Sequence, residues 1–271
     1  MSSKVAKSVA DAVRVSFGTD GFATLTLNRA SVHNALSDHV IAECRQKVEE
    51  VRQAKPRALF VKAEGKSFCA GADLDWMKRA ATYTKEANIK DAMELTGLLK
   101  DINTLPLPTV AMVQGAALGG GVGIISVCDI AIGVQRAKFT LSEVKLGLIP
   151  ATISPYVVSR IGATQSRRYF LSAETFDAPQ ARNIGLLHEV VEDQAGLDAY
   201  EQVLKEHFAR NGPGAVTASK ELINAVVGKE IDEGLMFDTA TRLANQRDTD
   251  ECREGINAFF EKRQAAFVEK I

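Results

Sequence analysis

A single glutamate, Glu143, stands out because the residues around it are largely apolar. It lies in the stretch Phe139–Pro150, directly after a predicted strand at Phe139–Leu141. A carboxylate in apolar surroundings has a raised pKa and can exchange protons near neutral pH. Glu143 is therefore a candidate general acid and base, although a lone glutamate can also cap a helix or pair with a neighbour such as Lys145.

A turn of small residues lies in the segment Phe68–Leu74, where a predicted strand ends and Asp73 opens a short helix through Trp76 and Met77. Small side chains allow a ligand to approach main-chain N–H groups closely. The same pattern also serves tight packing between a strand and a helix. On its own, this turn is a weak indication of a binding site.

A second turn, Ala117–Gly123, carries four glycines between a predicted strand and the apolar run Ile124–Val127. Orphan N–H groups and the positive end of the helix dipole favour an anion or an oxyanion at such a junction. The glycine spacing matches neither the dinucleotide-binding pattern nor the P-loop, and no P-loop lysine follows. Close helix–sheet packing is the alternative explanation for this turn.

Strands and helices must alternate to hold these groups. Runs rich in Val, Phe, Leu and Thr at 12–17 and 22–27 flank the turn Thr19–Gly21, which predicts a β-hairpin. A helix is predicted from Ser37 or Asp38 to about Lys55. Further strands are predicted at 58–62, 110–113, 130–134 and 139–141, and a further helix at 84–103. Helical pattern dominates from Ser154 onward, so the sequence predicts a sheet-bearing core at 1–200 and a helical tail at 201–271.

Composition excludes several classes of protein. The 33 basic residues nearly balance the 34 acidic ones, which argues against binding to nucleic acid or to an anionic membrane. No apolar run reaches the length of about 20 residues that a membrane helix needs. The basic residues and serines at 2–14 weakly resemble an organelle-targeting helix, but Asp11 interrupts them, so we expect a frayed terminus. The widely spaced cysteines argue against a disulfide framework or a zinc site and favour a reducing compartment: Cys44, Cys69, Cys128 and Cys252. The histidines show no ligand-like spacing: His33, His39, His188 and His207.

Taken together, the two small-residue turns and Glu143 resemble the crotonase family, the enoyl-CoA hydratases and isomerases. The likeness extends from Asn34–Leu36 to the segment Glu254–Arg263. It implies an α/β fold in which a spiral of ββα turns at 1–200 carries the acyl-CoA site and a helical region at 201–271 forms a homotrimer or a dimer of trimers. It also implies that no metal or cofactor is needed, since coenzyme A is part of the substrate.

The resemblance assigns roles to individual residues. The amides of Ala70 and Gly120 would form an oxyanion hole, and Glu143 would do acid–base chemistry at the α and β carbons of the acyl group. Phe259 and Lys262 would help to hold the CoA nucleotide. The full set of implied substrate-binding residues is Ala70, Gly71, Ala72, Asp73, Leu74, Gly120, Gly123, Phe259 and Lys262.

One position departs from many family hydratases. They carry a second glutamate where this chain has Gly123, and the stretch 142–156 also differs from theirs. Both departures are similar to the bacterial-type 3-methylglutaconyl-CoA hydratases and isohexenylglutaconyl-CoA hydratases. The expected reaction is therefore hydration of a branched glutaconyl-CoA, as in leucine catabolism. Candidate partners for the distal carboxylate of such a substrate, by position only, are Lys145, Arg79 and Tyr156.

Other functions stay open at this point. A Δ3,Δ2-enoyl-CoA isomerase also works with one glutamate. An RNA-binding second function and an inactive scaffold subunit are alternatives of another class, although the mixed charges of the 38–55 helix argue against the first and the intact Glu143 against the second. We expect no nucleic-acid or membrane partner and a bacterial cytoplasmic location, with the mitochondrial matrix as the alternative.

Overall fold

Strands and helices alternate along residues 11–269, the part of the chain that the computed structural model describes. The terminal segment predicted at 2–14 lies largely outside these residues. The strands are β1 (Val13–Phe17), β2 (Ala23–Leu27), β3 (Leu59–Ala63), β4 (Ser67–Cys69), β5 (Thr109–Val113), β6 (Ala116–Leu118), β7 (Ile130–Val134), β8 (Lys138–Thr140), β9 (Phe176–Asp177) and β10 (Glu189–Val191).

Helices alternate with these strands along the chain. One of them begins at a cap predicted from the sequence, where Ser37 accepts a hydrogen bond from the Val40 amide; at the start of the predicted 84–103 helix, Thr84 accepts one from the Ala87 amide. The helices are α1 (Asp38–Ala54), α2 (Leu74–Ala80), α3 (Lys85–Asn103), α4 (Gly120–Val127), α5 (Ser154–Ser172), α6 (Ala178–Asn183), α7 (Gln194–Arg210), α8 (Pro213–Val226), α9 (Glu233–Arg247) and α10 (Asp250–Glu261).

Two sheets give the fold its spiral form. The larger sheet has the order β1-β2-β3-β5-β7-β10, and the smaller has the order β4-β6-β8-β9. The chain passes from a strand of the large sheet to a short strand of the small sheet and then to a helix, three times over: β3, β4, α2; β5, β6, α4; β7, β8, α5. The ββα spiral is therefore confirmed.

Local sequence explains most of the large sheet. The strands β1 and β2 pair antiparallel as the predicted hairpin, and Gly21 in its turn has a φ of +81°. The pairs from β2 onward are parallel. All five residues of β5 are buried, as expected for a central parallel strand that is covered on both faces.

The C-terminal part is helical, as predicted, with two exceptions. The short strands β9 and β10 follow Ser154, where helical pattern dominates the sequence. The helix α7 runs across residue 200, so the all-helical region begins at Gln194. Within residues 11–269, no helix is both long and apolar enough to cross a membrane. Several large apolar side chains of the last three helices and their loops are exposed: Leu222, Ile223, Val227, Ile231, Met236, Phe237, Leu243, Phe259 and Phe260.

Candidate active site

A cavity of about 390 Å³ brings the three predicted motifs together. Ala70, Gly71 and Ala72 from the first turn, Gly120 from the second turn, and Glu143 all line it. Its volume is at the lower end of the range of about 300–1,000 Å³ that is typical of small-molecule sites. A cavity of about 490 Å³ near the start of α8 is lined mainly by prolines and surface side chains and contains none of the three motifs.

The first turn is held in place by the segment that precedes α1. The Leu36 amide donates to the Gly71 carbonyl at 2.7 Å, and the Asp73 amide donates to the Leu36 carbonyl at 2.8 Å. Asp73 then caps α2 and pairs with Arg29 at 3.2 Å. The two hydrogen bonds of Leu36 form a parallel β-bridge with Ala72. They use the carbonyl of the residue before Ala72 and the amide of the residue after it, so the N–H of Ala72 itself points away from Leu36.

The amide of Ala70 is already occupied. It donates to the His33 carbonyl at 2.9 Å, which contradicts the prediction that Ala70 supplies an oxyanion donor. In a regular strand the N–H groups of Ala70 and Ala72 would point to the same side. The φ of +82° at Gly71 breaks this regularity. Ala72 lines the cavity, and its N–H has no backbone acceptor among residues 11–269. Ala72, and not Ala70, therefore offers the open amide of this turn.

The second turn presents the other open amide. Gly119 has a φ of +47°, and its N–H donates to the Thr140 carbonyl at 2.9 Å. The Gly120 N–H begins α4 and has no backbone acceptor in the described part of the chain. A methyl group built on Gly71 would lie 3.8 Å from the Gly120 nitrogen, so the two turns are in contact. The cavity thus has two N–H donors from two different ββα units.

Glu143 lies beside the second turn. It is the first residue of a 3-10 helix, Glu143–Leu146, which follows the predicted strand β8. A methyl group built on Gly119 would lie 2.8 Å from Oε1 of Glu143, which shows how closely the carboxyl group approaches the glycine. Its Oε2 atom is buried and has no hydrogen-bond partner within residues 11–269. Burial raises the pKa of the Glu143 carboxyl above its ordinary value.

The position of the missing second carboxylate is closed by hydrocarbon. Gly123 is buried in α4 and does not line the cavity, contrary to the prediction. A methyl group built there would lie 2.4 Å from Cγ2 of Ile153 and 3.6 Å from Cδ2 of Leu99. Two further predicted substrate contacts are also absent from the cavity lining: Asp73, which caps α2, and Leu74, whose side chain is 71% exposed.

The predicted partners of a distal substrate carboxylate do not line the cavity. Lys145 is exposed, and Tyr156 packs partly buried against the core. Arg79 forms an exposed ion pair with Asp38 at 2.8 Å. Phe259 is exposed and Lys262 is the C-cap of α10, and neither lines the cavity of its own chain.

One wall of the cavity was not predicted from the sequence. Asn88, Asp91 and Leu95 of α3 line it, and their spacing of three and four residues puts them on one face of the helix. The Trp76 Nε1–H donates to Oδ1 of Asp91 at 3.0 Å and joins α2 to this wall. In the described chain, no group of three or more His, Cys, Asp or Glu side chains is arranged to hold a metal ion.

Similarity to known proteins identifies the family of this chain. The human mitochondrial methylglutaconyl-CoA hydratase is 33% identical over 249 residues, which cover 90% of this chain and 72% of the relative. A solved enoyl-CoA hydratase from Shewanella pealeana is 40% identical with a TM-score of 0.91, covering 94% of this chain and 96% of that one. Pseudomonas aeruginosa AtuE is 35% identical with a TM-score of 0.91, covering 96% and 100%. The model of the enoyl-CoA hydratase/isomerase family matches residues 18–270. This chain therefore belongs to the enoyl-CoA hydratase/isomerase (crotonase) family and is an enzyme of the enoyl-CoA hydratase type.

Proposed function

We propose that this enzyme adds water reversibly across the C2=C3 double bond of an α,β-unsaturated acyl-CoA. Glu143 is the general acid and base, and the amides of Ala72 and Gly120 are the oxyanion donors. The observation that carries the proposal is the position of the partly buried Glu143 carboxyl against Gly119, next to the open amide of Gly120. No metal or cofactor takes part in this mechanism, because the two amides supply the electrophilic assistance.

The reaction follows from this geometry. Glu143 takes a proton from water as the water oxygen bonds to C3, and the electron pair of the double bond moves toward the thioester oxygen. The two N–H donors stabilise the charge on that oxygen, and each is typically worth about 3 kcal/mol in comparable acyl sites. Glu143 then returns its proton to C2. One carboxylate thus serves both steps on one face of the acyl group.

Isomerisation is the second candidate, because it needs only a single proton carrier. The same carboxylate would move a proton between C2 and C4 of a Δ3-enoyl-CoA. A relative from Dictyostelium discoideum that is 31% identical is a dienoyl-CoA isomerase, so both chemistries occur among similar proteins. Purified enzyme assayed with crotonyl-CoA and a trans-3-enoyl-CoA in water enriched in ¹⁸O separates the two. Incorporation of ¹⁸O at C3 supports the hydratase, and isomerisation without incorporation contradicts it.

For the acyl group we propose 3-methylglutaconyl-CoA, ahead of crotonyl-CoA. The methylglutaconyl-CoA hydratases among the relatives support it, as does the lack of a carboxylate at Gly123. The cavity lining is less favourable for a substrate with a distal carboxylate, because it includes Asp91 and, among residues 11–269, no Lys or Arg. The cation must therefore come from the rim. Arg79 directly precedes the lining residue Ala80, and its pair with Asp38 is exposed and therefore weak, so exchange for a substrate carboxylate costs little.

The substrate proposal has its own test. We expect kcat/KM for 3-methylglutaconyl-CoA to exceed that for crotonyl-CoA. Arg79→Gln should lower the first value relative to the second. Lys78→Gln is the matched control, because Lys78 is 80% exposed and pairs with Asp75 on the outer side of the same helix. An equal or higher kcat/KM for crotonyl-CoA would contradict the preference. Failure to turn over any enoyl-CoA would favour the inactive scaffold instead.

We also propose a homotrimer or a dimer of trimers. The support is the set of exposed apolar side chains on α8, α9 and α10, which is larger than an isolated subunit usually leaves in contact with water. In such an assembly, Phe259 and Lys262 would lie against the CoA nucleotide of the same or a neighbouring subunit. Light scattering that gives a monomer at micromolar concentration would contradict this. The cytoplasmic location stays a prediction.

A further inference from the structure

We propose that Ser142, together with Thr152, holds the attacking water beside Glu143 and so replaces the second carboxylate of two-glutamate hydratases. The inference rests on the proposed hydration. In this role both residues position a reactant through hydroxyl groups, and neither changes its protonation state.

A positioning group is needed because one carboxylate cannot fix the water alone. A water that is held in a protein site typically makes about three hydrogen bonds. Glu143 supplies one acceptor, and the space beside Gly123 is closed by Ile153 and Leu99. No polar side chain at position 123 of α4 is therefore available to orient the water toward C3.

The cavity offers two hydroxyl groups for this purpose. Ser142 and Thr152 are the hydroxyl-bearing residues of the lining, and both come from the loop that carries Glu143. Ser142 is the N-cap of the 3-10 helix, but its side chain makes no capping hydrogen bond. Neither hydroxyl bonds to any of residues 11–269, whereas Ser154 in the same loop region donates to the Ala151 carbonyl at 2.8 Å.

The polar side chains of the α3 wall each make a hydrogen bond to another group. Asp91 accepts the indole N–H of Trp76, and Asn88 donates to the Tyr83 carbonyl at 3.4 Å. Both come from α3, on a different element from Glu143. Ser142 is adjacent to Glu143 in sequence and belongs to the same tight turn. Its free hydroxyl is therefore the best-placed second partner for a water that Glu143 deprotonates.

This role makes a prediction that a structural role does not. Water addition needs the hydroxyl, since one proton of the water goes to Glu143 while the other is held by Ser142. Exchange of the C2 proton of a saturated acyl-CoA needs Glu143 and the oxyanion donors but no attacking water. Loss of the hydroxyl should therefore reduce hydration and leave proton exchange largely in place.

The experiment compares both activities in one set of variants. For Ser142→Ala combined with Thr152→Val, we expect kcat for crotonyl-CoA hydration to fall by up to about 10²-fold, the cost of misplacing a reactant by about 1 Å. We expect KM, and the exchange of the C2 proton of butyryl-CoA with D₂O, to change much less. Ser142→Thr keeps the hydroxyl and should recover most of the hydration. Ser154→Ala is the control, since Ser154 lies outside the cavity lining.

Two outcomes would overturn the inference: unchanged hydration in the double variant, or an equal loss of hydration and proton exchange. Thermal unfolding of each variant identifies a loss of hydration that comes from misfolding. In that case the hydration rate of Ser142→Thr, which keeps the hydroxyl, decides whether the hydroxyl is needed. Wild-type enzyme that exchanges the C2 proton but hydrates no enoyl-CoA would instead overturn the proposed function.

Discussion

The side chain of Ile153 fills the space into which a side chain at Gly123 would project. A β-carbon built on Gly123 lies 2.4 Å from Cγ2 of Ile153, closer than carbon atoms approach without a shift. Ile153 and Leu99 are both buried, so neither moves aside at low cost. Packed hydrocarbon therefore occupies the place of a side chain at position 123, and a single substitution cannot install a carboxylate there.

Gly123→Glu should destabilise the fold by about 3 kcal/mol or more, because it combines overpacking with a buried and unpaired charge. It should not raise hydration. Denaturant unfolding measures the loss. In the Ile153→Ala background the clash is relieved, and we expect a favourable coupling energy between the two substitutions. A stable single variant with raised activity would contradict the closed-site interpretation.

Glu143→Gln should lower hydration by at least the factor of about 10²–10⁴ that is typical of general acid–base catalysis, with the fold intact. Because burial raises the pKa of Glu143, the charged form is disfavoured in the folded state, and the uncharged amide should unfold at equal or higher denaturant concentration. Glu94→Gln removes a surface carboxylate that pairs with Arg45, and serves as the control. Near wild-type turnover in a folded Glu143→Gln enzyme would disprove the mechanism.

Much of the fold was predictable because its signals are local. The hairpin of β1 and β2 and the caps at Ser37 and Thr84 all follow from residues within a few positions of each other. The small sheet was predicted only in part: a strand was expected at 139–141, but strands of three residues such as β4, β6 and β8 have too few alternations to show that they pair in a second sheet.

The site was predicted in outline and missed in its details. The sequence identified both turns and Glu143, but the choice between Ala70 and Ala72 depends on the His33 carbonyl, which lies far away in the chain. Contacts between distant residues also explain why the α3 wall was missed. No local pattern connects Trp76 to Asp91, which are 15 residues apart and joined by one side-chain hydrogen bond.

Replacing a single backbone amide tests the assignment of the oxyanion donors. Substituting lactic acid for Ala72 converts its N–H to an ester oxygen, and we expect kcat to fall by about 10²–10³, the typical cost of losing one donor. The same substitution at Ala70 removes only the hydrogen bond to His33, so we expect a loss of stability of about 1 kcal/mol and a smaller change in kcat. A larger loss of kcat at Ala70 would reverse the assignment.

The pH dependence of activity should follow the raised pKa of Glu143. Glu143 must be ionised to accept a proton from water, so kcat/KM should fall as the pH drops through the pKa of the free enzyme. That pKa lies above the ordinary glutamate value of 4.5 because burial penalises the charge. Initial rates with crotonyl-CoA across the acid range test this, and an acid limb at or below 4.5 would contradict it.

Stability should change in the opposite direction across the same pH window. Between the unfolded and the folded pKa of Glu143, the folded chain binds more protons than the unfolded one, so the free energy of unfolding decreases as the pH rises. The stability that comes from proton binding by Glu143 is fully present below its pKa in the unfolded chain, and it is lost above its pKa in the folded chain. Glu143→Gln has no such group and should lack this step. Denaturant unfolding of both proteins at several pH values therefore isolates the contribution of Glu143, and parallel profiles would show that its carboxyl is not the buried, proton-exchanging group that the mechanism requires.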